Sequence, residues 1–276
     1  MAEPTVVNSQ ITDAVAPEAA AAPTVGRFVW HDLMTTDPEK AQQYYADLLG
    51  WTYKEWDMGP GGVYRMIHAG DTEWGGFMPL DPAHGVPSHW ISYVTVPDVD
   101  AAAAKAQELG GQAPVSGTDI PSVGRFAVIA SPQGAYVSPY KSESTQGEMP
   151  DPAPAPGIFC WHELLSRDPE AEGKFFCEIF GWRIEKAPMS GPVGAYYLFK
   201  RLDNGKDAGG MLQKPDEGPS IWLPYIMVES ADATAARTGE LGGKVWVPPA
   251  DIPGVGRFTV TTDPTGAYIA FLQPQM

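Results

Sequence analysis

The sequence has few cysteines, few histidines and few basic residues, and it has no long hydrophobic run. Its 276 residues include 2 cysteines and 5 histidines. Two cysteines are too few for a secreted domain held by disulfides, and they are typical of a chain kept reduced in the cytoplasm. No apolar stretch approaches the roughly 18 residues that a membrane span needs. We therefore expect a cytoplasmic protein with no membrane partner.

The charge balance is strongly acidic, with 18 Lys and Arg against 34 Asp and Glu and a formal net charge of −16. Such a chain repels polyanions, so we expect no nucleic-acid partner. In a phosphate loop, the glycines follow a strand and begin a helix. The glycines at 59–62 do not stand in that order, so no nucleotide cofactor is predicted. Hydrophobic residues make up 43% of the chain and include 9 Trp, which is ample for a core.

An internal repeat organises the chain. Residues 26–51 return as residues 157–182, and the later segment 119–126 returns as 251–258. Identical pairs include Trp30 with Trp161, His31 with His162, and the Asp-Pro-Glu and Gly-Trp motifs. An internal repeat of this kind indicates a duplicated architecture.

Each half contains two runs of one strand, one helix and three strands. In the first strand, Phe28–Met34, alternation places Phe28, Trp30 and Asp32 on one face and His31 on the other. The first helix follows, with Thr36 and Glu39 at capping-box spacing, Asp37 as an alternative cap, and Gly50 as its end.

These patterns predict an α+β fold built by tandem duplication of paired βαβββ units, four units in total. We expect a disordered leader over residues 1–25, which lacks the basic and apolar regions of a signal peptide. The two domains are expected at 26–142 and 157–274. Between them, alternating prolines in residues 143–156 favour a semi-rigid extended linker.

The four βαβββ units, the Tyr-Tyr or Phe-Phe pair before a Gly-Trp helix end, and the Pro-x-Gly-Ala-Tyr entry to the last strand resemble the vicinal oxygen chelate superfamily. That superfamily includes glyoxalase I, bleomycin-resistance proteins, fosfomycin-resistance enzymes and extradiol dioxygenases. The resemblance covers residues 26–141 and 157–273. It implies that each half forms a cup-shaped mixed sheet, with helices outside and the ligand on the concave face.

The resemblance also implies positions for the ligands of a catalytic metal on the first and last strands of each unit. In this chain those positions hold Trp30, Trp161, Ile91, Leu223, Gly76, Gly210, Ser138 and Ala270. A register shifted by one residue would use His31 and His89, but it would turn Val29 and Leu33 into the cup. We therefore expect no metal and no other cofactor. His31 and His162 are expected as buried residues of the helix-packing face, hydrogen-bonded to the backbone.

The resemblance further implies which residues line the two cups. The expected ligand-binding residues are Trp30, Tyr93, Ser138 and Arg125 in the first half, and Trp161, Tyr225 and Arg257 in the second. Asp32 and Glu163 are candidate general bases, because burial raises the pKa of a carboxyl. The alternative for each carboxylate is a structural ion pair with Arg125 or Arg257.

The expected function is that of a glyoxalase or bleomycin-resistance-type protein that binds a small organic molecule in an aromatic cup without a metal. It either sequesters that molecule or processes it by lyase or isomerase chemistry with a carboxylate base. Two alternatives stay open: a metal-dependent lyase or dioxygenase with atypical ligands, and a non-catalytic tandem scaffold for a partner protein. The expected partner is a small-molecule ligand, and a homodimer is left open.

Overall fold

The computed structural model describes residues 25–58, 62–143, 153–191 and 194–275. Nearly all of the predicted leader and residues 144–152 of the predicted linker lie outside these ranges. The elements of the first half are β1 Phe28–Thr35, α1 Pro38–Leu49, β2 Thr52–Asp57, β3 Val63–Ala69, β4 Thr72–Pro79, β5 His89–Thr95, α2 Val99–Glu108, β6 Gln112–Ile120, β7 Gly124–Ala130 and β8 Tyr136–Ser142. Those of the second half are β9 Phe159–Ser166, α3 Pro169–Phe180, β10 Trp182–Gly191, β11 Gly194–Arg201, β12 Asp207–Gln213, β13 Ile221–Met227, α4 Ala231–Glu240, β14 Lys244–Ile252, β15 Gly256–Thr262 and β16 Tyr268–Pro274.

The strands form two mixed eight-stranded sheets with the same topology. Their orders are β2-β3-β4-β1-β5-β8-β7-β6 and β10-β11-β12-β9-β13-β16-β15-β14. In both sheets the first strand of the half pairs in parallel with the fourth and antiparallel with the fifth. This matched topology confirms the predicted tandem fold of four βαβββ units. Among the described helices, none is long and apolar enough to cross a membrane.

Helix α1 shows how the local sequence fixes an element. Asp37 is its cap, with the Asp37 side chain accepting a hydrogen bond from the backbone N–H of Lys40 at 3.1 Å. The capping-box alternative with Thr36 as cap is therefore wrong, and the Asp37 alternative is correct. The helix ends at Gly50, whose φ of 71° is left-handed and suits glycine.

The helices lie where the two halves meet, and each half completes the core of the other. Helix α1 contacts α4, and α2 contacts α3. The fully buried Phe176 of α3 belongs to the same core cluster as Ile129 of β7. Across the other contact, Tyr45 of α1 donates a hydrogen bond to the buried Asp263 at 3.2 Å. The two halves therefore share one continuous packing region.

Two tryptophans join the halves at matched positions. Trp51 Nε1 donates to the carbonyl of Gly157 at 2.8 Å, and Trp182 Nε1 donates to the carbonyl of Gly26 at 2.8 Å. Both indoles are buried. Gly26 has a φ of 74°, and a Cβ atom there would lie 2.3 Å from Trp182 Nε1. Glycine is required at this position for both reasons.

One expectation for β1 is wrong. The pairing of β1 with β5 shifts between Phe28 and Trp30, so a β-bulge interrupts the alternation of side chains there. Phe28 therefore lies on the opposite face from Trp30 and stacks on the ring of His162, with 3.7 Å between the ring centroids.

Candidate functional site

The sheet face opposite the helices carries the predicted site of the first half. Asp32 is paired with Gly76 and Ile91 on its two neighbouring strands, and Trp30 is paired with Tyr93. Residues paired across adjacent strands share a face, so these side chains lie together. We call the cluster of Trp30, Asp32, Tyr64 and Tyr93 the first cup. The matched cluster of Trp161, Glu163, Tyr196 and Tyr225 is the second cup.

Asp32 is the centre of the first cup and is only 5% exposed. Its carboxylate accepts hydrogen bonds from the hydroxyls of Tyr64 at 2.7 Å and Tyr93 at 2.8 Å, and from Trp30 Nε1 at 3.2 Å. Burial raises the pKa of Asp32, and the three side-chain donors and the backbone of Gly76 oppose that shift. Asp32 is therefore a buried carboxylate bonded to two tyrosine hydroxyls.

Glu163 occupies the matched position in the second cup and is 8% exposed. The hydroxyl of Tyr225 donates to Glu163 at 2.8 Å, and Tyr196 also hydrogen-bonds to it. Trp161 Nε1 donates to the Tyr196 hydroxyl at 2.9 Å. Burial raises the pKa of Glu163 as it does that of Asp32. The two cups therefore share one arrangement, in which Glu163 accepts hydrogen bonds from fewer groups than Asp32 does.

Tyr64 and Tyr196 are functional candidates that the sequence analysis missed. Each lies on the third strand of its half and fits beside a glycine of the fourth strand. A Cβ atom at Gly76 would come within 2.1 Å of the Tyr64 ring, and one at Gly210 within 1.9 Å of the Tyr196 hydroxyl. The signal in the sequence was a tyrosine and a Gly-Gly pair that recur at nearly the same offset in both halves.

Arg125 does not belong to the first cup, contrary to expectation. The ring of its chain neighbour Phe126 lies 5.9 Å from that of Tyr93, so Phe126 faces the cup and Arg125 faces the other side of β7. The Arg125 guanidinium pairs with Asp100 at 2.9 Å and Asp119 at 2.7 Å.

Arg257 repeats this arrangement in the second half, pairing with Asp232 at 2.7 Å and Asp251 at 2.8 Å. The proposed ion pairs of the two cup carboxylates with Arg125 and Arg257 are therefore wrong. The physical reason is that an aspartate in the first turn of α2 or α4 lies closer to each arginine. Arg125 and Arg257 are also removed from the ligand-binding set.

Ser138 has a supporting role. It is fully buried and donates to the carbonyl of Ala127 at 2.7 Å. Its partner on β5 is Tyr93. Ser138 therefore lies beside Tyr93, with its hydroxyl proton committed to a backbone carbonyl. The matched position in the second half is the fully buried Ala270.

The residues of the cups do not fit a bound transition metal. Within the described ranges, no three His, Cys, Asp or Glu side chains lie close enough together to hold an ion. Trp30, Gly76 and Ile91 offer no metal-binding side chain, and the Ser138 hydroxyl is engaged with a carbonyl. A bound Fe, Zn, Ni or Mn ion needs about three protein ligands.

Comparison with known proteins identifies the family. Residues 25–138 match the model of the Glyoxalase/Bleomycin resistance protein/Dioxygenase superfamily. "Putative glyoxylase CFP32" of Mycobacterium tuberculosis is 35% identical over 249 residues, which cover 89% of this chain and 94% of that protein. "Anthracycline biosynthesis protein DnrV" of Streptomyces peucetius is 28% identical over 262 residues, with 90% and 93% covered.

Solved structures share the fold at low sequence identity. The Mn(II)-bound glyoxalase of Novosphingobium aromaticivorans aligns with a TM-score of 0.63 at 17% identity, covering 91% of this chain and 83% of that one. The 2,3-dioxygenase LapB of Pseudomonas sp. KL28 aligns with a TM-score of 0.61 at 15% identity, covering 92% and 94%. The sequence matches and the duplicated topology agree, and the chain belongs to the glyoxalase/bleomycin resistance protein/dioxygenase superfamily.

Proposed function

We propose that this protein binds a small, planar organic molecule in its cups without a metal, and that a buried carboxylate serves as the base that processes it. Asp32 is the proposed base of the first cup, and Glu163 is that of the second. The observation that carries the proposal is the Asp32 cluster, in which one buried carboxylate is held by two tyrosines and a tryptophan.

The walls around Asp32 support a planar ligand. The rings of Phe126 and Tyr140 lie 5.9 and 6.2 Å from the ring of Tyr93. Both are partly exposed, as is Trp30. Small-molecule pockets typically combine apolar and aromatic walls with a few aimed polar groups. Aromatic side chains also favour stacked or edge-on contacts with flat rings.

The state of Asp32 suggests what part of the ligand it recognises. Burial brings its pKa upward, which makes proton uptake by the carboxylate easier. Its oxygens already accept bonds from Tyr64 and Tyr93, so a ligand must displace one of these hydroxyls to reach it. A ligand hydroxyl can do so by giving its proton to Asp32, and the displaced tyrosine can then donate to the resulting oxyanion.

The name of one relative supports the proposed class of molecule. The name of the Streptomyces relative refers to anthracycline biosynthesis, and anthracyclines are planar, hydroxylated polycycles. We extend that ligand class to this chain. The proposed independence from metal is supported by the side chains of the cups. Among the described residues, no three His, Cys, Asp or Glu side chains lie together as metal ligands.

Titration with alizarin, a dihydroxyanthraquinone, in the presence of EDTA tests the proposal. The wild type should bind the dye, and Asp32→Asn should weaken binding by about tenfold or more, because a hydrogen bond to a charged group contributes about 1.5–3 kcal/mol. Glu163→Gln is the matched variant for the second cup. Failure of the wild type to bind would contradict the proposal. An Asp32→Asn protein with full affinity but lower thermal stability would show that the carboxylate is structural.

A further inference from the structure

His89 lies on the same sheet face as the first cup. It is the first residue of β5 and is paired with Met34 of β1, two residues from the pair of Ile91 with Asp32. Trp90, between them, points into the core and is 7% exposed. Alternation along β5 therefore places His89, Ile91 and Tyr93 on one face, and His89 is partly exposed there.

A backbone carbonyl fixes the tautomer of His89. Its Nδ1 lies 2.8 Å from the carbonyl oxygen of Pro87. A carbonyl oxygen only accepts hydrogen bonds, so in the neutral ring the proton is on Nδ1 and Nε2 keeps its lone pair. Nε2 makes no hydrogen bond to any residue in the described part of the chain. The sheet face that carries the first cup therefore has a second proton acceptor besides Asp32.

We infer that His89 is a proton-accepting residue of the first cup, and that it recognises an acidic hydroxyl, phenolic or enolic, on the ligand. This inference rests on the proposed function and assigns the ligand a second contact. The ligand O–H bond breaks, the Nε2–H bond forms, and the product is an imidazolium beside an oxyanion. The Nδ1–H bond to Pro87 is retained in both states.

The spacing along the strands sets the size of the ligand. Two residues along a strand are about 7 Å apart. A molecule of roughly two fused rings lying over Ile91 therefore reaches both the Asp32–Tyr93 cluster and His89. On this face, Met34 of β1 is paired with His89, and Met78 of β4, one strand further away, is paired with Met34. The titratable group of this face of β1 is Asp32. The contact surface between the two polar ends is therefore apolar.

The second cup has no counterpart of His89. Ile221 occupies the matched position at the start of β13 and is paired with Leu165 as His89 is paired with Met34. An isoleucine cannot accept a proton, so the inference assigns this proton transfer to the first cup alone.

The test follows the ionisation of bound alizarin by its visible absorption as a function of pH, in the wild type, in His89→Gln and in His84→Gln, which replaces an exposed histidine outside both cups. An imidazolium beside the oxyanion should lower the pH of ionisation by roughly 1 to 3 units relative to free dye. His89→Gln should remove that shift, and His84→Gln should keep it. The tautomer is measured separately by ¹⁵N NMR of His89 in the ligand-free protein, where the proton should be on Nδ1.

The outcomes separate the inference from the function on which it rests. If the dye binds and His89→Gln ionises it at the wild-type pH, the inference is overturned and the proposed function stands. If the dye does not bind the wild type, the proposed function fails, and the inference fails with it. A proton on Nε2 of free His89 would overturn the inference whatever the dye does.

Discussion

The imidazoles of His31 and His162 meet between the two halves, with 2.7 Å between their Nε2 atoms. His31 Nδ1 lies 3.2 Å from the carbonyl oxygen of Trp74, so this nitrogen carries the proton and Nε2 accepts. The bond therefore runs from the Nε2–H of His162 to the lone pair of His31. Both rings are neutral and buried. His31 stacks on Phe159 and His162 stacks on Phe28, each with 3.7 Å between the ring centroids. The halves are joined by a hydrogen bond that needs a single proton between the two Nε2 atoms.

This pair should make the fold less stable at acidic pH. Burial lowers the pKa of His31 to about 3 and holds that of His162 well below its usual value. The unfolded chain takes up protons below pH 6.5 that the folded chain excludes, so stability falls as the pH drops. The loss is about 2 kcal/mol for each histidine between pH 6.5 and 5. Urea unfolding at pH 7, 6 and 5 measures it.

The double variant His31→Gln/His162→Gln is the control for that prediction. The raised pKa values of Asp32, Glu163 and Asp263 add stability as the pH falls, and this contribution is common to both proteins. The difference between wild type and variant therefore isolates the histidines. An equal pH dependence in the two proteins would show that the pair does not titrate with folding.

A methyl group at Gly26 should destabilise the whole chain. Gly26→Ala places its Cβ against Trp182 and disturbs the bond between the halves, whereas at Gly50, with a φ of 71°, nothing lies within 4 Å of an added Cβ. Gly50→Ala should therefore cost only the roughly 1–2 kcal/mol of left-handed backbone. Gly26→Ala should cost clearly more and keep a single unfolding transition. If the two variants lost the same free energy of unfolding in chemical denaturation, the Trp182–Gly26 contact would not be what joins the halves.

Replacing the glycine beside a cup tyrosine with alanine should weaken ligand binding only in the cup to which that tyrosine belongs. Gly76→Ala forces Tyr64 away from Asp32, because the added Cβ would overlap the phenol ring. We expect at least a tenfold loss of alizarin affinity in the first cup, comparable to the loss of one charged hydrogen bond. Gly210→Ala makes the same change beside Tyr196 and is the matched variant. An unchanged affinity in Gly76→Ala would show that Tyr64 does not contribute to ligand binding.

Elemental analysis should find no stoichiometric Fe, Ni, Zn or Mn in the purified protein. The expected ligand positions of the first cup hold Trp30, Gly76, Ile91 and Ser138, which cannot together coordinate an ion. Near one metal per chain in protein purified without a chelator would contradict this prediction.

The order of elements and the repeat could be predicted from the sequence because they depend on local patterns. Alternation in β1 placed Asp32 and Trp30 on one face, and the left-handed Gly50 ended α1 as expected. The same alternation misplaced Phe28, because a β-bulge depends on contacts with β5 and has no clear local signal.

The contacts within the site were harder to predict because they are long-range. Tyr64 is separated from Asp32 by 32 residues, and only the fold brings the hydroxyl to the carboxylate. Arg125 was the alternative ion-pair partner considered for Asp32, yet it pairs with Asp100 at the start of α2. The pairing of His31 with His162 required knowing that the halves pack through their helix faces.

A crystal structure of the protein soaked with alizarin in EDTA tests the central claim most directly. The account predicts density for one dye molecule in the first cup, with its two adjacent hydroxyls at one of the two proton acceptors, Asp32 or His89 Nε2, and its rings extending over Ile91 toward the other. Density that appears only when a divalent metal is supplied, with the ion bridging the dye to protein side chains, would contradict metal-independent binding. A first cup with no dye at saturating concentration would contradict the site itself.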